Sequence, residues 1–217
     1  MRISIMYELK ENKLSGRRMI IGSLLLLIGF IFLMVYSWAW WGLFVGGAIA
    51  WIIVFGATGR ESFHFPKKLW VIPLGVLLYF VVGIVFGTLA KALGLHWASS
   101  PAVGHLNELI LMLPIMLMGE ELLGIGILEV ARKKGLSLTT STLISAVIFG
   151  LLHVIPYWDG SLFSTLLHVL LLQGVARIIF NFIYLKTGNS IWGSWVAHML
   201  VDIIALFVAQ SIMVGMI

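Results

Sequence analysis

Apolar residues run along this chain in seven blocks, at about 19–38, 41–56, 69–92, 108–130, 139–157, 164–185 and 190–213. A membrane-crossing helix needs roughly 20 mostly apolar residues. The pattern therefore predicts an all-α, polytopic helical bundle of about seven transmembrane helices. The second block is short and reads as a tight or partial span. Turn formers punctuate the breaks: Gly59 and Pro66, Gly135, the stretch from Pro156 to Gly160, and Gly188-Asn189. Tryptophans gather at block ends (Trp38, Trp40, Trp41, Trp70, Trp97, Trp158, Trp192), where interfacial aromatics belong.

Composition agrees with lipid as the solvent. Hydrophobic residues make up 61% of the 217 positions and charged residues 11%, with a mean hydropathy of +1.08. A soluble domain runs nearer half apolar and a quarter charged. The chain has no cysteine, which excludes disulfides and thiol catalysis. Its formal charge of +5 raises the question of nucleic acid. The positions of the charges answer it through the positive-inside rule. With the N-terminus inside, the cytoplasmic segments hold Arg2, Lys10, Lys13, Arg17, Arg18, Arg60, Lys67, Lys68, Arg132, Lys133, Lys134 and Lys186, twelve of the 14 Lys and Arg. Lys91 falls outside and Arg177 within a span. No nucleic-acid partner is needed. The stretch from Met19 to Trp38 is too long for a signal-peptide core and is expected to be a retained first span. There is no internal repeat or low-complexity segment, so residues 1–217 read as one multi-pass membrane domain, expected in a bacterial or archaeal cell membrane.

Polar residues inside the apolar blocks carry the chemistry. Glu120 and Glu121 adjoin each other in LNELILMLPIMLMGEELLGIGILEV. A carboxylate at bilayer depth costs about 3 kcal/mol on insertion scales, so it rarely stays without a partner. Successive helical residues point about 100° apart, so one Glu faces a given centre and the other faces a neighbouring helix or supports the first. His153 closes the fifth block, with Phe149 four residues earlier on the same face. His198 and Asp202 share a face of the last helix at i, i+4, which lets the carboxylate orient the imidazole or both bind one water or metal. Together these residues could supply three zinc-type ligands (Glu120, His153, His198) with a general base, or a water-activating Glu/His site without metal. Depth is the difficulty: His153 falls roughly five residues outward of the centre of its span, about 8 Å at helical rise. In the sixth block Gln173, Arg177 and Asn181 step by four, with His168 before them. A buried arginine needs an anion, either Glu121 or Asp202.

There is no HExxH, Walker loop or serine nucleophile elbow. The order Glu120-Glu121, then Phe149-x-x-x-His153, then His198-x-x-x-Asp202 resembles the CPBP family of intramembrane proteases, which includes CAAX prenyl endopeptidases and Abi-like bacteriocin-processing proteins. The resemblance covers roughly residues 106–210. It implies a catalytic core at 106–213 behind N-terminal spans at 1–105. It also implies Glu120 and His153 as water activators, His198 and Asp202 as stabilisers of the site or the oxyanion, and a peptide or protein substrate, membrane-embedded or lipidated, met among membrane lipids. Whether such sites use a divalent metal such as zinc is open at family level. One departure stands out. The family motif EExxxR places Arg where this chain has Ile125, and Arg177 is expected to fill that role from the sixth helix. The sequence thus points to an intramembrane endopeptidase. A catalytically degenerate scaffold or bacteriocin-immunity protein is the alternative, favoured by Ile125. A proton- or cation-coupled transporter ranks below both, since repeat symmetry is missing.

Overall fold

The computed structural model describes residues 14–213 and 215. Arg2, Lys10 and Lys13 of the orientation argument lie outside the described residues. Each of the seven apolar blocks folds as a helix, and no strand occurs among the described residues. Helix α1 spans Gly16–Val35, α2 Gly42–Phe55, α3 Val71–Ala92, α4 Leu113–Lys133, α5 Leu138–Leu152, α6 Leu162–Lys186 and α7 Ile191–Met213. Five of them are long and apolar enough to cross a membrane: α1, α2 with the 3-10 segment Gly56–Phe63 that continues it, α3, α6 and α7. Helix α5 is apolar but shorter, at 15 residues. Helix α4 has the length but carries Glu120, Glu121 and Glu129. Outward side chains such as Ile20, Leu24, Ile84 and Phe207 are exposed, an apolar surface suited to lipid. The molecule is an integral membrane bundle.

Two boundaries differ from the sequence expectation, and both matter for the site. The fourth block begins with a separate turn, Leu106–Leu109, and the long helix starts only at Leu113, with Pro114 in its first turn. Glu120 therefore lies seven residues into α4, about 10 Å from its start. The fifth block ends its helix at Leu152, with His153 as the C-cap and Pro156 beyond it. These shifts remove the depth mismatch. Glu120 sits near the beginning of its helix and His153 at the end of an antiparallel neighbour.

Glycines let the helices approach closely, as small residues do in membrane bundles. A Cβ on Gly29 would come within 2.6 Å of the Gly42 carbonyl oxygen, and one on Gly46 within 2.6 Å of the Leu25 carbonyl oxygen. The α1–α2 pair packs in turn against α4. On the other side α3, α6 and α7 share a core of Val71, Ile72, Val76, Ile179, Phe180, Ile183, Ala197 and Val201. Helix α6 is interrupted by a π-helical segment, Val169–Gly174. Such wide turns are often found at functional sites, and this one packs against α5, which carries Phe149 and leads into His153.

Candidate active site

The two glutamates part company as the 100° rule requires. Glu121 is fully buried on the side of α6 and α7. Arg177 donates to it through both terminal nitrogens, at 2.9 Å to Oε1 and 3.0 Å to Oε2. The Ser194 hydroxyl donates to Oε2 at 2.5 Å, and the Nδ1 of His198 lies 2.9 Å from Oε1. Each carboxylate oxygen thus meets two donors. The arginine has further partners: its Nε donates to Asn181 Oδ1 at 3.1 Å, one terminal nitrogen donates to Ser194 at 3.1 Å, and the guanidinium lies over the rings of Phe149 and Phe180 at 5.5 and 5.4 Å. A buried charge pair survives when geometry is good and the remaining donors are satisfied. Of the two anions open to Arg177, the structure selects Glu121. Room for it comes from Gly124, whose Cβ would lie 2.6 Å from an Arg177 terminal nitrogen. The Gly124 carbonyl accepts from Ser145 at 2.8 Å, tying α5 to α4 beside the pair. Position 125 holds a fully buried Ile packed with Trp51, Met118 and Leu122.

Glu120 faces the other way, into a cavity of about 480 Å³ that is also lined by His153, His198 and Asp202. His198 links the two glutamates. Its Nδ1 contacts Glu121, while its Nε2 lies 3.8 Å from Glu120 and 3.9 Å from Asp202. An ionised carboxylate only accepts, so the Nδ1 carries a proton, and the Nε2 faces the carboxylates of Glu120 and Asp202 across the cavity. It is Glu121, rather than Asp202, that orients this ring. The separations of nearly 4 Å leave space for a bridging water. His153 is set in the same way. Its Nδ1 is 2.8 Å from the Phe149 carbonyl, again acceptor only, so this nitrogen donates. Phe149 packs under both imidazoles, 4.8 Å from His153 and 6.4 Å from His198 between ring centres. The Trp195 indole donates to the Pro114 carbonyl at 2.9 Å, fixing the first turn of α4 against α7.

Glu120, His153, His198 and Asp202 therefore share one cavity, whereas Glu121 and Arg177 lie behind it. Gln173, Tyr79, Tyr157 and Ser100 also line it. Of these, only Gln173 stands out in the sequence. Ser194, which the sequence reading passed over, sits in α7 one turn before His198 on the same face, and that spacing is the signal that could have found it. Tyr157 stands four residues after His153 but beyond the helix end, where helical spacing gives no warning. The remaining walls are apolar and come partly from Phe30, Leu33 and Met34 of α1 and Leu43 of α2. Among the described residues, no three His, Asp or Glu side chains are gathered so as to hold a metal ion.

Residues 102–204 match the family described as type II CAAX prenyl endopeptidase Rce1-like. No curated protein and no solved structure gave a match. The matched segment runs from the turn before α4 through most of α7, and so contains Glu120, His153, His198 and Asp202 and the Arg177–Glu121 pair. Over this segment the chain is similar to the Rce1-like family of type II CAAX prenyl endopeptidases.

Proposed function

We propose that this protein is an intramembrane endopeptidase that hydrolyses a peptide bond near the end of a lipidated or membrane-embedded chain. The observation that carries the reading is the gathering of Glu120, His153, His198 and Asp202 on the walls of one cavity, with the Nδ1 of each imidazole engaged outside the carboxylate pair Glu120 and Asp202. In this reading a water between Glu120 and His153 gives a proton to Glu120 as its oxygen attacks the scissile carbonyl carbon. The proton then passes to the leaving amine. His198 accepts from the water or the substrate amide and is held in register by Glu121. Arg177 offsets the charge of Glu121, the task the family motif gives to an arginine at the position of Ile125 in this chain. No step is routed through a metal. The apolar wall from α1 and α2 would take the lipid or hydrophobic side chains of the substrate.

The test is cleavage of a fluorogenic farnesylated CAAX-type peptide by the purified protein in liposomes. Wild type is expected to cleave, and Glu120→Ala and His198→Ala are each expected to abolish turnover while still inserting. Retained cleavage in either variant refutes the mechanism. Preservation of biological activity in Glu120→Gln would instead favour a scaffold or immunity role.

A further inference from the structure

The two carboxylates assigned to the reaction so far, Glu120 and Asp202, present acceptors to the cavity, and each histidine has its Nδ1 engaged elsewhere, with Phe149 O and with Glu121. Such a set suits an incoming water, which has protons to give. It does not suit a tetrahedral intermediate, whose oxygen needs donors. A carboxylate at position 202 cannot donate to an oxyanion.

Tyr79, Ser100, Tyr157 and Gln173 bring donors to the same space, and of these Tyr157 stands beside His153. Tyr157 is carried there by a turn in which its backbone N–H donates to the His153 carbonyl at 3.1 Å. Its ring stands 6.0 Å from that of His153 and meets His168 edge-on at 5.0 Å and 86°. His168 in turn is stacked on Trp97 at 4.8 Å and 4°. The phenol is thus held from behind by two packed rings. Burial raises its pKa above the ordinary value, and the carboxylates of Asp202 and Glu120 push the same way, so it keeps its proton at neutral pH. Gln173 belongs to the π-helical segment and adds an uncharged amide next to that phenol.

We propose that the Tyr157 hydroxyl and the Gln173 amide form the oxyanion site of this chain, an assignment that rests on the peptidase reading above. As the water oxygen bonds to the carbonyl carbon, the C=O π pair moves onto the carbonyl oxygen and the water's proton moves to Glu120. Tyr157 and Gln173 donate to the oxygen that becomes anionic. When that pair returns to re-form C=O, the C–N bond breaks, and the amine leaves with the proton held by Glu120. The helix that supplies the arginine missing at position 125 would then also supply the amide of the oxyanion site.

The experiment compares wild type with Tyr157→Phe, Gln173→Glu and Gln173→Leu in liposomes. It measures kcat and KM on the farnesylated fluorogenic peptide, and affinity for a phosphinate analogue of that peptide whose tetrahedral oxygens imitate the intermediate. Removing one oxyanion donor lowers kcat by about 100-fold or more in characterised hydrolases. The expected result is a loss of that order in kcat for each variant, with KM little changed and phosphinate binding weakened in parallel. Wild-type kcat and wild-type phosphinate affinity in the variants overturn the assignment alone. A rise in KM without a fall in kcat also overturns it, since that marks ground-state binding. No cleavage by wild type overturns the peptidase reading and the oxyanion site with it. Should one variant fail to fold, the others carry the same comparison.

Discussion

Replacing Arg177 by Met isolates the most buried electrostatic contact in the bundle. The guanidinium and its partner Glu121 are both fully buried, and the pair is bidentate at 2.9 and 3.0 Å. Removing one member of such a pair leaves an uncompensated charge and costs about 3–5 kcal/mol. At 1.4 kcal/mol per tenfold, that is a drop of roughly 100- to 4,000-fold in the folding equilibrium. Replacing both members by apolar groups of similar volume is often neutral, so Glu121→Leu with Arg177→Met is expected to regain most of that stability. It should not regain cleavage, because His198 Nδ1 then has lost its acceptor. The measurement is thermal unfolding in detergent for wild type, both single variants and the double, run beside the peptide-cleavage assay. The reasoning fails if Arg177→Met unfolds at the wild-type temperature and turns over normally. It fails equally if the double variant is as unstable as the two losses summed.

Other consequences can be checked with the same tools. Gly124→Ala places a methyl 2.6 Å from an Arg177 nitrogen, so it is expected to lower the unfolding temperature in wild type and to have a smaller effect in the Arg177→Met background, where no terminal nitrogen occupies that space. Phe149→Ala removes a buried ring that supports both imidazoles and the guanidinium, with an expected loss of about 3–5 kcal/mol and a fall in turnover beyond what the remaining folded fraction accounts for. Cleavage is expected to survive prolonged treatment with a strong chelator. Loss of turnover that zinc restores would assign a metal to Glu120, His153 and His198.

Much of this fold could be read along the chain because lipid imposes a length on every span. The seven blocks of apolar residues became seven helices, and the errors fell at their ends. The fourth helix starts at Leu113 rather than near Glu108, and the fifth stops at Leu152. Hydropathy does not see these ends, because Leu109 and Ile155 are as apolar outside a helix as inside one. Divergence of Glu120 and Glu121 onto two faces followed from helical geometry alone. The choice of Glu121 over Asp202 as the partner of Arg177 did not, since both are carboxylates at plausible positions and only helix packing separates them. A π turn at Val169–Gly174 leaves no mark in a 3.6-residue pattern, so the place of Gln173 on the cavity wall could not be derived. The tautomers of the two histidines depend on Glu121 and on a backbone carbonyl, which no residue spacing reports.

The glycine seam between α1 and α2 divides the molecule's labour. Both helices lie outside the segment matched at residues 102–204, yet Phe30, Leu33 and Leu43 form part of the chamber wall. No atom of the Arg177–Glu121–His198 knot comes from them. If the proposed peptidase reading holds, variation in Phe30 or Leu33 would resize the chamber for a different cargo while the Arg177–Glu121–His198 knot stays as it is, which would leave selectivity and reactivity free to diverge on separate parts of the chain.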